Sequence, residues 1–349
     1  MSTWPVLLLL LGVAVVLAWG ARRLHVPVPI VLVIGGLALA FIPGLPVIEI
    51  DPHLILLLVL PPVLYHAAIF TPWREFRANL QPISMLAIGL VVATTGAVAV
   101  VAATLIPGFG WGAAFVLGAI VSPPDAVAAT AVFSRLRINR RTVVVLEGES
   151  LVNDATGLVV YKFVVAAVVT GAFSIGHGIL EFLALAAIGS AIGVFLGYIF
   201  ILIHRRIGDP MIEIVISILS AYAIYMVVEY AHGSGVLAVV AAGLMRGWHA
   251  PAVFSAQNRM QGTAVWDTLL FLLNGFVFIL IGLQMRQVFD GLVGYAWHGL
   301  LLYSLAIGGA AIAARLAWVM PSAYIPRLFS RKLRENETPL DWRNASVMG

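Results

Sequence analysis

Residues 147–162 read EGESLVNDATGLVVYK, and they set four polar or acidic side chains close together inside a long apolar run. A charged side chain near the middle of a membrane-spanning helix costs about 3 kcal/mol on insertion scales, so such residues usually mark an ion or proton path. As a helix, the stretch puts Ser150 and Asp154 four residues apart, Glu149 and Asn153 four apart, and Ser150 and Asn153 three apart. All four then share one broad face.

The rest of the chain supplies a membrane for that helix to cross. Hydrophobic residues make up 62% of the 349 positions, charged residues only 10%, and the mean hydropathy is +1.04. These values lie outside ordinary soluble usage and predict an all-α polytopic membrane protein. There is no cysteine, which excludes disulfides, thiolate metal sites and a cysteine nucleophile. The formal net charge is +4 with a pI near 9.6, but the basic residues sit in short clusters between apolar runs. They read as topology-setting loops rather than a nucleic-acid surface. No nucleotide-binding loop is present.

Cutting at Gly, Pro and charge clusters, with about 20 apolar residues per crossing, gives about eleven segments. They fall at 5–21, 27–43, 52–70, 82–105, 111–133, 142–170, 178–204, 210–230, 234–248, 265–285 and 296–324. Loops after odd-numbered segments hold the arginines: Arg22 and Arg23, Arg74 and Arg77, the group from Arg135 to Arg141, Arg205 and Arg206, Arg246 and Arg259, and the run from Arg327 to Arg334. Even-numbered loops hold almost none. The positive-inside rule then places the N-terminus outside and the C-terminal end in the cytoplasm of a cell-membrane protein.

The fifth segment contains SPPDAVAAT from Ser122, where Pro123 and Pro124 remove two backbone donors and disfavour helical geometry at Ser122. A broken helix is expected there, with Asp125 at the break. Irregular backbone at membrane depth is tolerated where it is buried or lines a wet cavity, and its freed carbonyls suit ions. A rise of about 1.5 Å per residue carries Asp125 and Asp154 roughly 20 Å in from opposite sides. Two carboxylates, an amide and a hydroxyl make a hard all-oxygen set suited to Na⁺ or Li⁺. A desolvated Asp able to hold either a proton or a cation suffices for coupled exchange.

SPPDAVAAT followed by EGESLVNDATGLVVY resembles the paired signature of bacterial sodium/proton antiporters of the NhaP type, in monovalent cation:proton antiporter family 1, which includes the sodium/hydrogen exchangers. LPPVLYHAAIFTPWREFRANLQPI and AARLAWV also look like family segments. The resemblance implies an inverted-repeat fold, a homodimer in membrane lipid, no cofactor beyond the transported ions, and no nucleotide or nucleic acid. Asp154 would alternately bind proton and cation. Asp125 and Ser150 would complete the Na⁺ site, Asn153 would orient Asp125 or the broken helix, and Glu149 would pair with Arg315. Residues 1–326 would form the transmembrane unit, with core helices over 82–170 and 296–326 and the others serving dimerisation. Residues 327–349 would be a basic cytoplasmic loop leading to two further helices, which the family has and this sequence lacks. Pro124 stands where the family often has Thr, and His66 where it commonly has an acid.

Two other readings remain open on sequence alone. One is an intramembrane aspartyl protease using Asp125 and Asp154, although its Gly-x-Gly-Asp motif is absent. The other is a truncated, transport-inactive fragment. Glu147 reads as a solvated residue near the cytoplasmic end and Lys162 as a snorkelling one. His66 is open between a pH sensor and a core histidine. Trp4, Trp73, Trp111, Trp297 and Trp318 read as an interfacial belt. The runs GSAIGVFLG and AIGGAAIAA read as close helix packing.

Overall fold

The computed structural model describes residues 3–42, 51–124, 139–171, 175–292, 294 and 296–329. Within these every regular element is a helix: α1 Thr3–Leu24, α2 Val28–Ala40, α3 Pro52–Phe70, a short α4 Trp73–Ala78, α5 Leu80–Leu105, α6 Trp111–Val121, α7 Arg140–Thr170, α8 Ile175–His204, α9 Pro210–Tyr230, α10 Gly235–Val253, α11 Ala256–Gly291 and α12 Trp297–Phe329. Eight of them, from α3 onward but without α4 and α6, are long and apolar enough to cross a membrane, and α2 and α6 are shorter apolar helices. Apart from α4, each helix falls on one of the eleven expected segments.

The edges differ from the expected ones for a physical reason. Hydropathy marks the stretch that fits hydrocarbon, whereas a helix continues into water as long as its backbone bonds are satisfied. Thus α11 runs nine residues ahead of the apolar segment at 265–285, starting from Ser255, whose side chain accepts from Asn258 N at 3.1 Å. Likewise α10 continues past 248 and through Pro251 to Val253.

The helices pack by close backbone approach. Gly189, Gly193 and Gly197 of GSAIGVFLG meet the backbone of Ser234, Ala238 and Ala242, so α8 and α10 cross with nothing between them. Gly36 and Gly282 do the same for α2 and α11. The run AIGGAAIAA behaves otherwise: among the described residues nothing lies close to Gly308 or Gly309 of α12.

A second device is polar. Trp266 Nε1 on α11 donates to Ser217 Oγ on α9 at 3.1 Å. Ser220 Oγ donates to the Ser217 carbonyl at 2.7 Å and lies 3.0 Å from the Tyr65 hydroxyl of α3. All four side chains are buried, and bonding among them removes the cost of placing hydroxyls in the interior.

Helix α5 is not uniform. Met85–Leu90 forms a wide π turn inside it, and there Trp318 of α12 donates its Nε1 to the Met85 carbonyl at 3.0 Å, with its ring against Gly89. Trp318, expected at an interface, is thus an anchor between α12 and α5.

Candidate functional site: the middle of helix α7

Helix α7 begins at Asn139, whose side chain accepts from Arg141 N at 3.2 Å, and stops at Gly171, whose φ of 68° is a left-handed cap that glycine adopts without strain. Its first turn is fastened to α4. Arg140 makes a bidentate contact with Glu75, Nη2 to Oε1 at 2.6 Å, and Arg141 Nε donates to Asn79 Oδ1 at 2.9 Å. The Arg140 guanidinium bonded to Glu75 holds that carboxyl below its ordinary range. Between Gly148 and Gly157 buried residues cover the circumference except for the sector of Ser150 and Asp154, so α7 is enclosed on most of its sides.

Ser150, Asn153, Asp154 and Gly157 follow the i, i+3, i+4, i+7 spacing of a single stripe. Ser150 and Asp154 are half-buried, whereas Asn153 is fully enclosed, at 0% exposure. Among the described residues neither Asn153 Oδ1 nor Nδ2 has a hydrogen-bond partner. Gly157 completes the stripe by close approach, because a methyl group there would run into the Pro123 ring.

That contact locates the expected helix break. Helix α6 ends at Val121, Ser122 donates its hydroxyl back to the Ala119 carbonyl at 3.2 Å, and residues 122–124 leave the helix. The non-helical turn at Pro123 therefore presses on α7 one turn beyond Asn153 and Asp154. Asp125 and the remainder of the segment, 125–138, lie outside the described residues.

On a neighbouring face, Glu149 is 2% exposed and receives two hydrogen bonds from Arg315 of α12, Nη1 to Oε1 at 2.8 Å and Nη2 to Oε2 at 3.1 Å. A buried carboxylate held by a bidentate guanidinium is satisfied on both oxygens, and its charge is balanced where water is scarce. Glu147 is exposed, in keeping with the solvated position read from sequence.

The sequence profile described as "Sodium/hydrogen exchanger, transmembrane" matches residues 8–349. The chain belongs to this family. An uncharacterised Na⁺/H⁺ exchanger of Mycobacterium tuberculosis is 36% identical over 331 residues, covering 93% of this chain and 60% of the relative. The sodium, potassium, lithium and rubidium/H⁺ antiporter of Bacillus subtilis is 35% identical over 306 residues, 84% of this chain and 46% of the relative. The Na⁺/H⁺ antiporter ApNhaP of Aphanothece halophytica is 33% identical over 279 residues, 79% and 53%. The chain thus spans about half to three fifths of the length of these relatives. Among solved structures, the sodium proton antiporter MjNhaP1 of Methanocaldococcus jannaschii aligns over 99% of this chain and 92% of its own, with a TM-score of 0.65 and 19% identity, a likeness of fold. The family is one of multi-pass membrane transporters and not of proteases, so the aspartyl protease reading is set aside.

Several pairings in the structure join residues far apart in sequence that the sequence reading left unjoined. His66 Nε2 of α3 lies 3.4 Å from Asp267 Oδ1 of α11. Lys162 Nζ of α7, read as snorkelling, lies 3.5 Å from Glu229 Oε1 of α9. Asp267 and Glu229 both fall within or at the end of an apolar segment, and the rule that singled out Asp154 applies equally to them. What it does not supply is the partner.

Proposed function

We propose that this chain exchanges Na⁺ or Li⁺ for H⁺ across the cell membrane by alternating access, with Asp154 alternately protonated and cation-bound. Asn153 and Ser150 flank it on the same stripe of α7, Asp125 supplies the second carboxylate, and the Glu149–Arg315 pair holds α7 to α12. The assembly is a homodimer with the arginine-bearing loops in the cytoplasm, and the activity serves pH and sodium homeostasis.

The observation that carries the reading is Asn153. Its fully buried amide has no partner among the described residues; such a group costs about 1–3 kcal/mol, and native structures keep it where a ligand, ion or water completes it. It lies beside a half-buried Asp and one turn before the contact of Gly157 with the Pro123 ring, a constellation of oxygens and a carboxamide that suits a hard monovalent cation. The exchange needs no further chemistry. A carboxylate desolvated at membrane depth binds a proton or a Na⁺ but not both, so release of one drives uptake of the other. The family membership and the names of the relatives support the same reading.

The test is cation-triggered proton flux in proteoliposomes, followed with an internal pH dye, for the wild type and Asp154→Asn. The expected outcome is flux with Na⁺ or Li⁺ in the wild type, reduced at least about 100-fold in the variant. Undiminished flux in Asp154→Asn would sink the proposal.

A further inference from the structure

A cavity of about 280 Å³ lies away from the α7 stripe, at the arginine-bearing ends of α3, α9, α10 and α11. Its walls are aromatic and apolar, with Phe70, Trp73, Phe254 and Trp266 among them, but Arg246 of α10 and Arg259 of α11 line it as well. Arg246 is the unusual group. Its Nε is enclosed without a hydrogen-bond partner among the described residues, and its guanidinium forms no ion pair among them. Its guanidinium lies over the face of Phe254, 4.7 Å from the ring centre. A guanidinium carries five donors that are costly to enclose unused, and a cation–π contact satisfies none of them.

The acid in the same cavity does not complete it. Glu213 is 5% exposed and lies near enough to act on Arg246 through space, but its Oε2 accepts from Asn258 Nδ2 at 3.0 Å. Arg259 uses Nη1 on the Phe254 carbonyl at 2.9 Å, and the rest of its side chain is exposed at the mouth. Two arginines against one acid leave the cavity one positive charge in excess, with a planar donor fork at its wall and aromatic surface around it. That combination is complementary to an oxyanion with an organic body, because arginine donors match phosphate oxygens in bidentate geometry while the walls take the apolar part.

We propose that this cavity binds a phosphate-bearing anion, with Arg246 and Arg259 as its cationic contacts. The proposal is independent of the exchange reading, because its readout is binding and not flux. Two sources present that chemistry at a membrane surface: the headgroup of an anionic phospholipid, or free phosphate and small phosphorylated molecules.

The experiment measures thermal unfolding of the purified full chain in mild detergent. One arm adds phosphatidylglycerol against phosphatidylcholine; the other adds sodium phosphate against sodium chloride at equal sodium concentration, with choline chloride added to equalise the ionic strength. Arg246→Gln and Arg259→Gln are compared with Arg205→Gln, which lies at the same end of the molecule but does not line the cavity. Phosphatidylglycerol or phosphate raises the Tm of the wild type and of Arg205→Gln by at least about 3 °C, and this rise is lost in Arg259→Gln and in Arg246→Gln. A response to phosphatidylglycerol alone assigns the lipid headgroup, and a response to phosphate assigns the free anion. Absence of a shift in the wild type overturns the proposal, as does an undiminished shift in Arg259→Gln, which keeps the test decisive even where Arg246→Gln does not fold.

Discussion

Among the described residues no hydrogen bond ties the Asn153 amide into the fold, and this gives the residue a signature that separates function from packing. Replacing its enclosed amide, unpartnered among the described residues, by the similarly sized apolar Leu removes a desolvation penalty. Asn153→Leu is therefore expected to raise cation-free stability by about 1–3 kcal/mol while abolishing any Na⁺-dependent rise in Tm. Thermal unfolding with and without Na⁺ checks both halves, and a large loss of cation-free stability would instead reveal a structural role. The stripe of Ser150, Asn153 and Asp154 was legible in the sequence because helical spacing alone places it. Glu149 with Arg315 was legible through the family resemblance; that a membrane-depth arginine needs a partner agrees with the pairing but does not say which acid it is. His66 with Asp267 was not legible: nothing local in residues 60–70 indicates which of the later helices lies opposite.

At the scale of elements, the contact between α7 and the proline-broken turn rests on Gly157. A side chain there meets the Pro123 ring, whereas a methyl group at Gly96 of α5 meets nothing among the described residues. Gly157→Val is therefore expected to destabilise by about 1–3 kcal/mol and to reduce flux, because overpacking pushes the turn away from the stripe. Gly96→Ala should be neutral or stabilising by up to about 1 kcal/mol. Unfolding in detergent with flux in proteoliposomes measures both, and equal effects at the two glycines would show that the Gly157 contact is not special. The helices themselves were legible as apolar runs, since hydrocarbon thickness sets their minimum length. Their ends were less so, because α11 continues through the polar AQNRMQGT by ordinary capping and propensity. The wide turn at Met85–Leu90 was invisible, since MLAIGL carries no signature that distinguishes it from regular helix.

At the scale of the whole molecule, the two ends of the bundle differ in chemistry. The arginine-bearing end carries the Glu75–Arg140 contact, and there a pH effect has a definite sign. The bonded guanidinium lowers the Glu75 pKa in the folded state, so the contact stabilises above the ordinary carboxylate range and its contribution disappears as pH falls through the lowered value. Both groups are exposed, and the effect is small and screened by salt. The Tm difference between the wild type and Glu75→Gln should accordingly be present at neutral pH, shrink in acid below that range, and weaken in high salt. A difference that grew in acid would assign the contact the wrong role.

The wide turn in α5 reaches further than its six residues. A regular helix keeps its side chains in one continuous phase, about 100° per residue, so the same stripe faces the same neighbour from end to end. A π turn inserts extra chain and advances that phase by roughly one residue's rotation. Before the turn, Ile83 points at Gly148 of α7; within it, Met85 and Gly89 receive Trp318 of α12; beyond it, Thr95 backs against Gly118 of α6. The one rod is thus packed against three helices, with Trp318 seated at the point where its phase shifts.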